Sequence, residues 1–166
     1  MDFAKRKQIR LENYDYSGNS AYFITICTFH RIRLFDSIVG ANLCVRPSNA
    51  DKLIEKWLFK LENKYKNVAI DKYVIMPDHI HFILQQTGAH AGAPLPEIIK
   101  WFKTQTTDEY IKGVKSGVFQ PFEKHIWERN YYEHIIRNQN DYNEIWKYID
   151  ENPLKYRKGE PMCSPE

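Results

Sequence analysis

Two pairs of polar residues have the types and spacing that could carry chemistry. His79 and His81 are separated by one apolar residue, and side chains two apart in a strand project from the same face, where two imidazoles could share a metal ion. Tyr148 and Asn152 lie four residues apart, so on a helix a phenol and an amide would face the same cleft about one turn apart. Each pair also has an ordinary structural explanation, since polar strand faces, packed tyrosines and asparagines at helix ends are common.

The first half of the chain contains the elements that must position the histidines. Residues 21–29 are rich in β-branched and aromatic types and predict a strand. Residues 51–65 have apolar side chains at helical spacing, and Ser48 is a candidate N-cap. Residues 68–76 and 79–84 are two strand-like runs joined by a proline–aspartate turn, so they predict a hairpin with both histidines on its second strand.

The second half of the chain predicts mostly helices. One helix covers about residues 95–110, and residues 131–137 also show helical spacing, with poorly marked ends. A last helix opens at about residue 140, and the Asn152–Pro153 pair is expected to end it, because the residue before a proline disfavours the α region. A strand, a helix, a hairpin and further helices in this order predict an α+β fold, in which helices pack on a ferredoxin-like antiparallel sheet.

Composition limits the size and kind of protein. The 166 residues, 43% of them hydrophobic, are expected to form one domain, with a basic N-terminal arm over about residues 1–16 and a short tail over about residues 157–166. The net charge of +3 permits nucleic-acid binding without requiring it. The cations of the arm could neutralise phosphates; they are Lys5, Arg6, Lys7 and Arg10.

Cysteine usage and hydropathy predict a cellular compartment. Cys27, Cys44 and Cys163 are odd in number and lack a Cys-x-x-Cys spacing, so neither a disulfide framework nor a zinc knuckle is predicted. No apolar run approaches the roughly 18 residues of a membrane helix, and the charged N-terminus is not followed by an apolar signal region. We therefore expect a soluble protein of a reducing cytoplasm, with no membrane partner.

Four segments resemble a known family in type and order. Residues 76–81, MPDHIH, resemble the histidine-hydrophobic-histidine (HUH) motif of the single-tyrosine transposases. Residues 148–153, YIDENP, resemble the nucleophile helix of the REP-associated tyrosine transposase branch of that family. Residues 9–16 leading into 22–27, and residues 127–137, also match that branch. The resemblance therefore spans nearly the whole chain.

This resemblance implies a fold, an activity and a set of site residues. It implies a ferredoxin-like HUH nuclease that cuts single-stranded DNA, commonly near a hairpin, through a covalent 5′-phosphotyrosine intermediate. By the family pattern, His79 and His81 are metal ligands, Asn152 is a third ligand where many relatives carry glutamine, and Tyr148 is the nucleophile. Imidazole ligands alone would favour zinc or another transition metal. The family instead implies Mg²⁺ or Mn²⁺.

The residue types alone do not identify the group that activates the tyrosine, and they offer more than one tyrosine as the nucleophile. A phenol has an unperturbed pKa of about 10, so it needs the field of the metal or a base that the sequence does not identify. Tyr131, Tyr132 and Tyr142 are rival nucleophiles, but none is followed four residues later by a ligand that completes the family pattern. His134 is left outside the predicted catalytic set.

Candidate DNA contacts combine cations with aromatic rings. Phosphates could be bound by Arg129, Arg137 and the N-terminal arm, and unpaired bases could stack on Trp127, Tyr131 or Tyr132. For each of these residues taken alone, a place in the core or on the solvated surface is the more common role. Because relatives include dimers, both a monomer and a homodimer are expected possibilities.

The leading prediction is a strand transferase that acts on hairpin-bearing single-stranded DNA, in DNA transposition or REP-element mobilisation at the nucleoid. Two alternatives remain open. One is a protein of the same fold that binds structured single strands without cutting them. The other is an unrelated metallohydrolase that uses His79 and His81 with water as the nucleophile.

Overall fold

The structure, a computed structural model, describes residues 19–35, 39–40, 48–88 and 92–158, with the backbone alone at residues 39–40 and 157–158. The predicted N-terminal arm, Cys44 and Cys163 lie outside the described residues, as does nearly all of the predicted tail. Among the helices of the described ranges, none is long and apolar enough to cross a membrane.

A five-stranded antiparallel sheet forms the centre of the protein. Its strands follow the spatial order β2-β3-β4-β1-β5, and each neighbouring pair is antiparallel. The strands are β1 (Ser20–Cys27), β2 (Val39–Gly40), β3 (Val68–Met76), β4 (His79–Gln86) and β5 (Tyr132–Ile136). The predicted hairpin is confirmed as β3 and β4.

Three α-helices complete the fold. They are α1 (Asn49–Lys64), α2 (Leu95–Lys115) and α3 (Gln139–Lys158). Without the short β2 and without α3, the chain runs β1-α1-β3-β4-α2-β5, with the strands in the spatial order β3-β4-β1-β5. This is the split βαβ arrangement of ferredoxin-like domains, so the predicted fold class is confirmed. Helix α3 is an addition that packs beside β3.

The predicted start of α1 at Ser48 is also confirmed. The Ser48 hydroxyl accepts a hydrogen bond from the Asp51 backbone N–H at 3.2 Å, and an Asp51 carboxylate oxygen accepts one from the Ser48 N–H at 2.8 Å. This reciprocal capping box satisfies two donors that a helix start would otherwise leave without partners.

The sheet separates two apolar cores. On one face, Tyr22, Ile24 and Ile26 of β1 pack with buried residues of α1 and α2 in the larger core. On the other face, Phe23 joins a smaller core with residues of β3, β4 and α3, including Ile149. Both histidines of β4 project to this second face, because they alternate with residues of the larger core.

The structure corrects the helical prediction for residues 131–137. These residues form β5, an edge strand paired with β1, in which Thr25 faces Tyr132 and Phe23 faces His134. Every residue of β5 is half-buried, so the strand lacks the clear alternation that would have identified it. Pairing with the edge of β1, a contact distant in sequence, decides the conformation.

The prediction that α3 ends at Asn152–Pro153 is also wrong. The helix continues to Lys158 with Pro153 inside it. A proline in a helix loses one backbone hydrogen bond and clashes with the preceding turn. Here Asn152 and Pro153 are both buried, and Tyr156 packs against the smaller core one turn later. Packing against the sheet offsets the local cost.

Lys72 of β3 is a buried residue that connects the sheet to α3. A register shift between Ile70 and Lys72 leaves Asp71 unpaired and turns Lys72 toward α3. Lys72 is only 5% exposed. Its ammonium lies 2.6 Å from an Asp150 carboxylate oxygen and 4.0 Å from the centre of the Trp146 ring. The bulge therefore places a buried cation under the helix that carries Tyr148.

We expect Asp150→Asn to destabilise the fold more than the matched change Glu151→Gln. Losing the Asp150 charge leaves the buried Lys72 ammonium without its counter-ion, which costs about 1–2 kcal/mol for a partly exposed partner. The described ion pairs of Glu151, with Lys147 and Lys155, are exposed, so its change should cost less than about 0.5 kcal/mol. Urea unfolding at neutral pH measures both; equal losses would contradict the anchoring role of Lys72.

Candidate metal and nucleophile site

The two histidines of β4 are oriented by hydrogen bonds to the same ring nitrogen, Nδ1. His79 Nδ1 donates to an Asp78 carboxylate oxygen at 2.6 Å, and His81 Nδ1 lies 2.8 Å from the Thr25 hydroxyl. The two ring centres are 4.6 Å apart. Nε2 of each ring is buried and has no hydrogen-bond partner among the described residues. Because a carboxylate only accepts, Asp78 fixes the tautomer of His79 that leaves the Nε2 lone pair free.

The environment keeps both imidazoles neutral. Burial lowers the pKa of His79 more than the hydrogen bond and charge of Asp78 raise it. Burial, with smaller contributions from His79 and Arg31, lowers the pKa of His81 far below its usual value. Burial raises the pKa of Asp78, but the hydrogen bond and charge of His79 and the charge of Arg31 leave it lowered. Neutral imidazoles beside a carboxylate suit metal binding.

Tyr148 lies beside the histidines in the same pocket. Its ring centre is 5.5 Å from that of His81 and 5.7 Å from that of Phe23, edge-on in both cases. Phe23 in turn stacks on His81 at 5.3 Å. The pocket has a volume of about 280 Å³. It is lined by Thr25, Cys27, Arg31, His79, His81, Glu128, Asn130, Tyr131, Tyr132 and Tyr148.

Asn152 lies one helical turn beyond Tyr148, beneath α3. It is 1% exposed, and within the described ranges neither the oxygen nor the nitrogen of its amide group has a hydrogen-bond partner. It is not one of the residues that line the pocket of the histidines. A buried amide without partners costs free energy, so such a group suits a ligand that the protein is built to receive.

Lys103 of α2 holds the segment that forms another wall of the pocket. Its ammonium lies 3.0, 3.4 and 3.2 Å from the backbone carbonyl oxygens of Glu128, Arg129 and Asn130. It also lies 5.4 Å from the centre of the Tyr131 ring. A segment without regular structure is thus fixed next to the histidines by one cation.

The predicted DNA contacts are spread over the molecule. Trp127 is 6% exposed, and its indole N–H donates to the Thr106 hydroxyl at 2.9 Å. The ring is therefore part of the core and is not accessible for stacking on a base. Arg129 is exposed next to the pocket wall. Arg137 is exposed beyond the far end of β5 and lines a different pocket. The arm cations lie outside the described residues.

The rival tyrosines differ in their surroundings. Tyr131 and Tyr132 line the same pocket as Tyr148, and burial, with the nearby Tyr148 and Asp141, raises the pKa of Tyr132. Tyr142 lines a different pocket and donates a hydrogen bond to Asp71.

His134 is turned toward α3 instead of the two histidines of β4. Its Nε2 lies 3.0 Å from each carboxylate oxygen of Asp141. It does not line the pocket that holds His79 and His81. The described contacts of His134 therefore tie the edge strand β5 to the start of α3.

Sequence reasoning missed two residues that orient the histidines. From the sequence, Asp78 is predicted as a turn residue and Thr25 as part of a strand, with no role at the site for either residue. An acidic residue directly before the first histidine was a signal that could have identified Asp78. Thr25 could be found only from the pairing of β1 with β4, which places it opposite His81.

The donor set fits a metal ion bound by neutral ligands. In the part of the chain that the structure describes, no group of three or more His, Cys, Asp and Glu side chains is arranged to hold a metal. Among the described residues, His79 Nε2, His81 Nε2 and the Asn152 amide are buried, have no hydrogen-bond partner and are of types that can ligate a metal. Any ion here would need further oxygen ligands from water or substrate.

Comparison with known sequences identifies relatives along most of the chain. Residues 20–152 match the family model of IS200-like transposases. An uncharacterised protein of Haemophilus influenzae is 30% identical over 93% of this chain and 92% of that protein. A second H. influenzae protein, provisionally named a REP-associated tyrosine transposase, is 33% identical over 55% of this chain and 51% of its own length.

Two solved structures share the fold. One is a REP-associated tyrosine transposase bound to a REP hairpin, with a TM-score of 0.58 at 20% identity over 89% of this chain and 73% of that chain. The other, at 1.90 Å resolution, is a Deinococcus radiodurans protein provisionally described as a transposase, with a TM-score of 0.53 at 18% identity over 87% of this chain and 96% of that chain. With the family match over residues 20–152, the chain belongs to the IS200-like transposases and resembles their REP-associated tyrosine branch.

Proposed function

We propose that the protein cuts and rejoins single-stranded DNA, with Tyr148 as the nucleophile. The observation that carries the proposal is the position of the Tyr148 ring, whose centre is 5.5 Å from that of His81. In the same pocket, Nε2 of both His79 and His81 has no hydrogen-bond partner in the part of the chain that the structure describes. A phenol beside two neutral, pre-oriented imidazoles provides a nucleophile next to a place for a cation.

The covalent step exchanges one phosphodiester bond for another. The Tyr148 phenolic oxygen loses its proton and attacks phosphorus, a bond from that oxygen to phosphorus forms, and the bond from phosphorus to the 3′ oxygen breaks. The 3′ oxygen leaves with a proton as the hydroxyl end of the upstream fragment, and the downstream fragment stays attached to Tyr148 through its 5′ phosphate as a phosphotyrosine. Attack by a 3′-hydroxyl on this linkage reverses the step, so one site can cut and rejoin.

His79, His81 and Asn152 would hold a divalent metal, for which we propose Mg²⁺ or Mn²⁺. Such an ion would neutralise charge that develops on the non-bridging oxygens of the phosphate. The residues of the chain do the positioning. Asp78 and Thr25 orient the two imidazoles at 2.6 and 2.8 Å, and Phe23 holds both the His81 and Tyr148 rings.

The proposed substrate is single-stranded DNA next to a hairpin. A structural neighbour of this fold is bound to a REP hairpin, and the half-buried aromatic residues Tyr131 and Tyr132 border the pocket, where unpaired bases could stack. The Tyr148 and histidine rings that meet in the structure belong to one chain, so we propose that a single subunit can form the active site.

Incubation with a hairpin oligonucleotide that carries a single-stranded extension tests the proposal. We expect a protein–DNA adduct that survives denaturing electrophoresis in Mg²⁺ or Mn²⁺ and that is absent in EDTA. A 3′-end label should stay with the protein, because the fragment with the 5′ phosphate is the one attached, and a 5′-end label should be released. Binding without cleavage in any metal would instead support a non-cleaving binding protein. Free 5′-phosphate ends without adduct would support hydrolysis by water.

A further inference from the structure

A cationic side chain, Arg31, lies at the edge of the pocket of the histidines. Of the ten residues that line the pocket of the histidines, Arg31 alone carries a permanent positive charge. Its side chain is 46% exposed, so it reaches solvent at the opening while the imidazoles lie buried below. A DNA phosphate that enters this pocket would bring a full negative charge past the guanidinium.

The backbone under Arg31 has an uncommon conformation. His30 and Arg31 are consecutive non-glycine residues with φ of 53° and 57°, in the left-handed region that L residues rarely adopt. Hydrogen bonds hold the turn on both sides: the Thr28 N–H donates to the Asp78 carbonyl at 2.9 Å, and the His30 N–H donates to a Glu128 carboxylate oxygen at 2.8 Å. Strain that is held in this way clusters at binding and catalytic sites.

The turn directs the Arg31 side chain back toward the end of β1. One terminal nitrogen, Nη1, lies 3.1 Å from Cys27 Sγ, and Nε lies 3.8 Å from an Asp78 carboxylate oxygen. The second contact is too long for a hydrogen bond. These contacts with Cys27 and Asp78 involve Nη1 and Nε of the guanidinium. A guanidinium has five N–H donors in a fixed plane, so several remain for an anion.

We propose that Arg31 binds one phosphate of the single-stranded DNA at the opening of this pocket and so positions that phosphate for Tyr148. That the bound phosphate is the one that is cut rests on the proposed function. Phosphate binding itself requires no cleavage. Asp78 then links two tasks, because one of its oxygens orients His79 and the other faces the Arg31 guanidinium.

The test measures binding to phosphates that are neutralised one at a time. All proteins carry Tyr148→Phe, and the assay contains EDTA, so neither cleavage nor a metal contact contributes. The probe is a hairpin oligonucleotide with a single-stranded extension, together with a series in which one uncharged methylphosphonate replaces each phosphate of the extension in turn. We expect Arg31→Gln to weaken binding of the all-phosphate probe roughly ten- to a hundredfold, the range of one charge-assisted contact.

At one position of the series, the methylphosphonate should weaken binding to the Arg31 protein, and there Arg31→Gln should cause no further loss. Arg33→Gln is the matched control: Arg33 is an exposed cation two residues away, 5.8 Å from the Tyr156 ring centre, and it does not line the pocket. Arg33→Gln should weaken binding only slightly, and by the same factor for every probe of the series. No loss with Arg31→Gln, or an equal loss at every position, would overturn the inference. A failure of the wild-type protein to form an adduct would count against the proposed function alone.

Discussion

The variant Tyr148→Phe should form no covalent adduct with DNA, a loss of at least about a thousandfold, while it still folds and binds the oligonucleotide. Removing a nucleophile removes the whole covalent pathway. Phenylalanine keeps the edge-on contacts of the ring with His81 and Phe23, so the stability should change by less than about 1 kcal/mol. Denaturing electrophoresis of 3′-labelled DNA measures the adduct, and thermal unfolding checks the fold.

The matched control for this variant is Tyr142→Phe, on the same helix. Tyr142 donates to Asp71 and lines a different pocket, so its loss should leave adduct formation within about twofold of wild type. The rival nucleophile is Tyr132, which lines the same pocket as Tyr148. An adduct that persists in Tyr148→Phe and disappears in Tyr132→Phe would transfer the role to Tyr132.

Replacing both His79 and His81 with alanine should abolish adduct formation and the stabilisation of the fold by metal. A ligand that binds only the native state raises stability by RT ln(1 + [L]/Kd), about 2.7 kcal/mol when its concentration is a hundred times Kd. Wild-type protein should therefore melt at a higher temperature in saturating Mn²⁺ than in EDTA. The double variant lacks both Nε2 ligand atoms, so it should melt at the same temperature in Mn²⁺ and in EDTA.

The comparison between Mn²⁺ and EDTA is made within each protein, so a lower baseline stability of the double variant does not affect it. His125→Ala is the matched control, because His125 is exposed and lies outside the pocket; it should keep the full shift. Thr25→Val should raise the Kd for Mn²⁺ about tenfold or more, since it removes the group that orients His81. A full Mn²⁺ shift in the double variant would show that the metal binds elsewhere.

Several parts of the protein follow from local rules and can be predicted from the sequence alone. The β3–β4 hairpin, the capped start of α1 and the common face of His79 and His81 all follow from side-chain periodicity and turn chemistry within a few residues. The family pattern added the pairing of this histidine motif with the tyrosine helix. These features need no knowledge of distant contacts.

Other features depend on contacts with residues far along the chain. Residues 132–136 are a strand because the edge of β1 is available to pair with them, and α3 passes through Pro153 because buried packing offsets the lost hydrogen bond. The Asp71 bulge turns Lys72 under α3. No local pattern predicts these outcomes, because the free energies that decide them come from contacts between separate segments.

The same division applies to the candidate site. Sequence spacing could indicate the two imidazoles and the phenol, but only the fold brings Tyr148 against His81, with 66 intervening residues. Only strand pairing sets Thr25 behind His81, and only a strained turn directs Arg31 to the pocket. Side-chain types follow from sequence, whereas their orientation follows from hydrogen bonds and burial that the folded chain alone creates.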